Sequence, residues 1–147
     1  MTDGESRRYG EQRSGSAVEF RVAARLESLA LLRTVVGAVG VFADLNLDAV
    51  ADLKLAVDEA CTGLIGSATP EAILVVAIDP RPDVVVVEAR TTCETYDVLA
   101  EDSLSWHVLS ALTDDVRTFH NGNVAGRHSD GRVFGITLTT RRAGSSR

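Results

Sequence analysis

The sequence predicts a single α/β domain of the α+β type, a two-layer sandwich in which a mixed, mainly antiparallel sheet carries helices on one face. The first observation is the order of hydrophobic periods, which runs strand, helix, helix, two strands, loop, helix, two strands. The second is the turn-rich link at residues 79–83 between two β-branched segments, which indicates a hairpin and therefore antiparallel pairing. The third is size, because 147 residues with 45% hydrophobic content suffice for one core and leave no room for a second domain.

The domain is predicted to begin with a strand and a helix. Apolar and charged residues alternate over residues 17–23, which is the period of a strand with one buried face. From Leu26 to about Phe42 the apolar positions recur at helical spacing. Residues 1–15 and 141–147 are polar and rich in Gly, Ser and Arg, and we expect both segments to be disordered tails that flank a domain at residues 16–140.

A second helix follows, and its ends carry recognisable capping residues. Asp48 is the predicted N-cap, a buried stripe runs from Val50 to Leu64, and the helix should end near Gly66. The remaining predictions are strands at residues 73–78, 84–89, 116–119 and 133–138, a loop at residues 91–102 and a third helix at residues 105–113.

Composition narrows the function classes. The net charge is −6, and fourteen arginines and one lysine are scattered along the chain, which argues against a nucleic-acid partner. The longest apolar stretch, residues 29–43, is shorter than the roughly 20 residues of a membrane span, and the amino-terminal segment lacks the apolar core of a secretory signal. We therefore expect a cytoplasmic protein without a membrane segment, whose Cys61 and Cys93 are reduced structural thiols.

Glu59 is the acid most suggestive of chemistry. Its neighbours one helical turn away are apolar or small, among them Leu55 and Gly63, so Glu59 is expected to edge a pocket and could act there as a general base. The alternative is a solvated acidic corner formed with Asp58. Gly63 in a helix interior costs roughly 1 kcal/mol relative to alanine, so it either allows a close approach or lies in a weak last turn.

Two serines precede the third helix. Ser103 and Ser105 lie where free backbone N–H groups and the positive end of the helix dipole could receive a phosphate. The alternative is ordinary serine capping, with Trp106 in the core. The three histidines lack the spacing of a zinc site, and we expect them in loops or on the surface: His107, His120 and His128.

Two further segments carry a family resemblance. Residues 26–33, Leu-Glu-Ser-Leu-Ala-Leu-Leu-Arg, and residues 55–63, Leu-Ala-Val-Asp-Glu-Ala-Cys-Thr-Gly, resemble parts of the bacterial anti-sigma factors of the RsbW and SpoIIAB type. Those proteins are serine-protein kinases with the histidine-kinase-like ATPase fold. In the first segment the resemblance implies that Glu27 and Arg33 hold partner proteins.

The second segment resembles the helix that carries the family's ATP site. The resemblance assigns Glu59 to the glutamate that activates the attacking hydroxyl, and it places Gly63 where the family has a magnesium-binding asparagine. Glycine has no side-chain oxygen, so the metal would lose a direct protein ligand. Residues 103–116 resemble the second glycine box and the helix after it, with Ser103 and Ser105 in place of both glycines, and the first glycine box has no counterpart.

The resemblance is closest to the divergent anti-sigma-F factors, sometimes called UsfX. It implies a homodimer that sequesters an alternative sigma factor of the F type and is released by an anti-anti-sigma factor of the STAS fold. ATP is the implied cofactor, with weak binding at most. The rival hypothesis is an active ATP-dependent serine-protein kinase that uses Glu59 as its base, and a third is a nucleotide-responsive switch without phosphate transfer.

Overall fold

The computed structural model describes residues 15–121 and 132–142. The predicted tails at residues 1–15 and 141–147 fall mostly outside these ranges, and so does His128. The elements, in chain order, are β1 (Val18–Ala23), a 3-10 turn (Leu26–Ser28), α1 (Leu29–Phe42), α2 (Leu47–Ser67), β2 (Ile73–Pro80), β3 (Val84–Cys93), α3 (Leu104–Leu112), β4 (Asp115–His120) and β5 (Arg132–Arg141).

The five strands form one sheet in the order β1-β2-β3-β5-β4, and every neighbouring pair is antiparallel. Helix α1 packs on α2 and on β2, and α2 also packs on β3 and β5. Helix α3 packs on α2 and β4. The predicted α+β sandwich is confirmed. The sheet was predicted to be mixed and mainly antiparallel, and every strand pair that the structure describes is antiparallel.

Alternation along β3 shows which face of the sheet is covered. Val85, Val87 and Ala89 are at most 2% exposed and belong to the core that the helices complete. Val86 and Glu88 point to the opposite face and are only half-buried. Among the described residues, no helix packs on that second face.

The second helix begins earlier and ends later than its pattern predicts. Asn46, not Asp48, is the N-cap: its backbone is extended and its side chain accepts a hydrogen bond from the Ala49 N–H at 2.8 Å. Asp48 lies in the first turn instead, where a carboxylate interacts favourably with the helix dipole. The helix continues through Gly66 to Ser67 before the backbone becomes extended at Ala68.

The four strands after β1 are also longer than predicted, whereas β1 begins one residue later than predicted, at Val18. β3 continues to Cys93 because Thr91 and Thr92 pair with Phe134 and Val133 of β5. The predicted loop therefore starts only after Cys93, and Arg141, which was assigned to the tail, is the last residue of β5. None of the described helices is long and apolar enough to span a bilayer.

Candidate functional site

The candidate site lies where the first turn of α3 meets the middle of α2. Ser105 of α3 donates its hydroxyl hydrogen to Glu59 Oε2 of α2, with an oxygen–oxygen distance of 2.5 Å. A hydrogen bond of this length between a hydroxyl and a carboxylate is of the strong, charge-assisted kind. Both side chains are half-buried, so water competes with this bond only in part.

Local sequence explains why Ser105 faces α2. Ser103 begins α3 by accepting a hydrogen bond from the Trp106 N–H at 3.1 Å, which fixes the position of the first turn. Leu109 is completely buried in the core. Because residues four apart lie on the same helix face, Ser105 is carried onto the buried side together with Leu109. The predicted capping role is thus confirmed for Ser103, while Ser105 has a different partner.

The two acids of α2 diverge rather than form a common acidic corner. Glu59 binds Ser105, whereas Asp58 accepts a hydrogen bond from Arg33 Nε of α1 at 2.9 Å. Neither carboxylate is therefore a bare surface charge, and the interpretation as a solvated acidic corner is wrong. Glu59 lies at a helix junction, where the Ser105 hydroxyl donates to its carboxylate, and its expected place at a pocket edge stays a prediction.

Gly63 lies on the exposed side of α2, four residues before the helix ends at Ser67. A β-carbon built at this position would approach only Val98 Cγ1, at 4.0 Å, which is ordinary van der Waals distance. None of the described residues makes the close approach that a glycine would allow, so their packing does not require glycine here. A larger side chain has room at this position.

Three side-chain oxygens at this junction take part in hydrogen bonds within the chain: Glu59 Oε2, Ser105 Oγ and Ser103 Oγ. Gly63 contributes no side-chain oxygen, the Glu59 carboxylate accepts from Ser105, and the Ser103 hydroxyl oxygen accepts from its own helix. Across residues 15–121 and 132–142, no group of three or more His, Cys, Asp or Glu side chains is arranged to hold a metal ion.

The predicted partner-binding residues occupy different local structures. Glu27 lies in the exposed 3-10 turn that precedes α1. Arg33 lies on α1, and its ion pair with Asp58 leaves 47% of its side chain exposed, against 32% for Asp58. Glu27 is therefore on the surface, whereas Arg33 is held against α2 by its ion pair with Asp58. Sequence reasoning missed Asp58 as the partner of Arg33, although each residue directly follows a buried position of its helix, at Leu32 and Val57.

An open groove lies beside this ion pair, between α1 and α2. Its cavity has a volume of about 320 Å³ and is lined by Arg33, Ala51, Lys54, Leu55 and Asp58. The side chain of Lys54 crosses α1 at Gly37, where an added β-carbon would lie 3.3 Å from Lys54 Cδ. Lys54 was not singled out from the sequence, and Leu55 was noted there only as an apolar neighbour of Glu59. The glycine opposite a long side chain is the signal that could have identified the groove.

A second cavity, of about 430 Å³, opens on the helix-free face of the sheet. Its lining includes Arg21 of β1, Val75 of β2 and Arg90 of β3, which are direct neighbours across the sheet. This face therefore combines apolar strand surface with two guanidinium groups.

The two cysteines are buried, and their thiols are unreactive in the folded chain. Cys61 and Cys93 are fully inaccessible free thiols. Burial raises the pKa of Cys61 to about 12, with a smaller contribution from the nearby Asp58 carboxylate, and burial alone raises that of Cys93 to about 11. At neutral pH both remain protonated, so neither has the thiolate character of a reactive cysteine.

The described histidines are surface residues, as predicted. His107 is exposed on α3, and His120 is exposed at the end of β4. The imidazole of His120 stacks on Tyr96, with ring centroids 4.1 Å apart.

Comparison with known proteins gives close relatives. Over an alignment of 149 positions, the chain is 62% identical to the anti-sigma-F factor RsbW of Mycobacterium tuberculosis (strain H37Rv). The alignment covers 100% of this chain and 86% of that protein. It is 24% identical over 124 residues to the serine-protein kinase RsbW of Bacillus cereus (strain AH187), with 71% of this chain and 78% of that protein covered. No protein-family profile matches the chain.

Proposed function

Because the chain belongs to the RsbW family of anti-sigma-F factors, we propose that it binds an alternative sigma factor of the F type and thereby keeps that factor from RNA polymerase. The observation that carries the proposal is the 62% identity to a protein of that name across the whole chain. A cytoplasmic location follows from this role, since sigma factors act on the cellular transcription machinery. The direct test is binding of the purified chain to a purified F-type sigma factor by calorimetry.

We assign Glu27 and Arg33 to the partner-facing surface. The exposure of Glu27 and the half-exposed side chain of Arg33 support this assignment. Replacing both residues by alanine should abolish capture of the sigma factor. The fold should survive, because an exposed ion pair such as Arg33–Asp58 contributes only about 0–1 kcal/mol.

A control separates the two roles of Arg33. Asp58→Asn removes the charge that Arg33 meets within the chain but leaves the arginine itself in place. If partner binding depends on Arg33 itself, Asp58→Asn, which leaves the guanidinium in place, should weaken capture less than the double alanine variant does. Undiminished capture by the double alanine variant would reject the assignment of these two residues.

We further propose that the chain acts as a homodimer and that an anti-anti-sigma factor of the STAS fold releases the sigma factor by competition. Support for self-association comes from the helix-free sheet face, where the half-buried Val86 lies among charged side chains of both signs, such as Arg21, Glu88 and Arg90. Light scattering on the purified chain tests the dimer. Addition of a STAS-domain protein to the preformed complex tests release.

Magnesium and ATP are not required for capture in this proposal. The loss of an oxygen ligand at Gly63 and the engagement of Glu59 by Ser105 support this independence. Capture should therefore be unchanged by EDTA, and calorimetry with Mg-ATP should give weak binding at most. A requirement for nucleotide in sigma-factor capture would contradict the proposal.

The second candidate function is protein kinase activity, which the names of the Bacillus relatives and the position of Glu59 favour. Transfer of labelled phosphate from ATP to a STAS-domain protein, abolished by Glu59→Gln, would establish it. Gly63→Asn is an informative companion variant, because the structure has space for the side chain and the change supplies the missing oxygen. We expect no transfer from the natural chain.

A further inference from the structure

We propose that the α1–α2 groove is a docking site for an amphipathic helix of the bound sigma factor, and that an acidic side chain of this helix pairs with Lys54. The inference rests on the proposed function and deepens it, because it adds residues of α2 to the partner surface. The groove is defined by Arg33, Ala51, Lys54, Leu55 and Asp58.

The groove offers apolar surface along α2, beside the Arg33–Asp58 ion pair. Leu55 is 58% exposed, although it borders a cavity of about 320 Å³ that could receive a side chain. A single exposed leucine needs no explanation, but an exposed leucine at the mouth of a cavity is the arrangement of an anchor site. Ala51 lies one turn before Leu55 and has a small side chain, so a side chain of the partner can approach the α2 backbone closely there.

The net charge of the groove indicates which kind of side chain on the partner would pair with it. Arg33 and Asp58 form an ion pair and neutralise each other at 2.9 Å. Lys54 is the only lysine of a chain with a net charge of −6, and within the described ranges no carboxylate lies within ion-pair distance of its ammonium group. The groove thus carries one net positive charge in an otherwise acidic protein, which is complementary to Asp or Glu on the partner.

Backbone geometry argues for a helix rather than a strand as the occupant. The groove is lined by four residues of α2 and by Arg33 of α1, and the backbone N–H and C=O groups at these helix-interior positions are already bonded within each helix. An added strand would need free backbone groups at a sheet edge. Recognition here must therefore proceed through side chains, which is how an amphipathic helix binds a groove, with anchors three or four residues apart.

Two substitutions test the site in calorimetric titrations against a purified F-type sigma factor. We expect Leu55→Asp and Lys54→Glu each to weaken binding at least tenfold, and Lys54→Gln to weaken it less than Lys54→Glu because it removes the charge without reversing it. The difference between Lys54→Gln and the natural chain should shrink at high salt. Leu104→Asp is the matched control, because Leu104 is 79% exposed but lies on α3, away from the groove.

The outcomes distinguish this inference from the proposed function. Binding by the natural chain with affinity unchanged in both Leu55→Asp and Lys54→Glu overturns the docking site and leaves the anti-sigma function standing. No binding by the natural chain overturns both. If the two variants instead change the mass of the free chain in light scattering and leave sigma affinity unchanged, the groove contacts a second copy and the inference is wrong. Circular dichroism of each variant excludes misfolding as the cause, and the conservative Lys54→Gln supplies the test if Leu55→Asp fails to fold.

Discussion

The hydrogen bond between Ser105 and Glu59 makes a quantitative prediction about stability. This bond is the polar link between α2 and α3, and its partners lie 46 residues apart in the sequence. We expect Ser105→Ala and Glu59→Ala each to lower the free energy of unfolding. The double variant should be less destabilised than the sum of the two, because the interaction is lost only once.

The expected magnitude follows from the chemistry and the burial of the pair. A hydrogen bond to a charged group contributes about 1.5–3 kcal/mol when it is well formed. Both side chains are half-buried, so water can replace part of the lost interaction and the lower end of that range applies. We therefore expect a coupling free energy of about 1–2 kcal/mol from the double-mutant cycle.

Urea denaturation followed by circular dichroism measures all four proteins. The measurements should share one protein concentration, since the stability of a self-associating protein would depend on it. Ser110→Ala is the matched control: Ser110 is an exposed serine of the same helix, so its replacement reports only the gain in helix propensity. A coupling below about 0.3 kcal/mol, within the range for independent sites, would refute the argument that this bond holds α3 against α2.

Three further predictions concern packing, thiol chemistry and helix capping. Gly135→Ala should lower the free energy of unfolding by about 1–3 kcal/mol, because the ring of Phe119 occupies the space that a β-carbon would need. Cys61 and Cys93 should react with a thiol reagent at neutral pH only after unfolding. Because their pKa values rise from 9.0 to about 12 and about 11 on folding, stability should fall as the pH rises above 9. Asn46→Ala should cost about 1 kcal/mol, since it removes the N-cap of α2.

Each of these three predictions has a control substitution or an outcome that would contradict it. Gly66→Ala, at an open helical position, should stabilise the chain rather than destabilise it. Asp48→Asn should cost a few tenths of a kcal/mol, because only its interaction with the helix dipole is lost. Equal effects at Asn46 and Asp48 would contradict the capping assignment, and fast thiol modification of the native chain would contradict the burial of the two cysteines.

The order and type of the elements could be predicted from the sequence because their hydrophobic periods are strong and the hairpin link is explicit. The exact helix start could not, since Asn46 and Asp48 are equally good capping residues and only the backbone conformation decides between them. The length of β3 was underestimated because Thr91 and Thr92 are held in the sheet by a strand some 40 residues later, as the pairing Thr92↔Val133 shows.

The candidate site was predicted only in its components. Sequence spacing singled out Glu59, Ser103 and Ser105, but it could not pair Glu59 with Ser105, because that contact depends on how two helices meet. The same holds for Arg33 and Asp58, which are 25 residues apart. Family resemblance supplied roles for single positions, and tertiary packing determined which of those positions touch.

The place of β5 in the sheet has a consequence for how the protein is made. β5 is the last of the described strands, yet it lies between β3 and β4 and is 10 residues long. While the nascent chain emerges from the ribosome, β3 keeps an open edge and β4 has no neighbour until residue 141 is outside the exit tunnel. Unpaired edges of this kind invite association with other chains. A truncation that removes β5 would therefore detach β4 as well, and reporter fusions should be better tolerated ahead of β1, at the rim of the sheet.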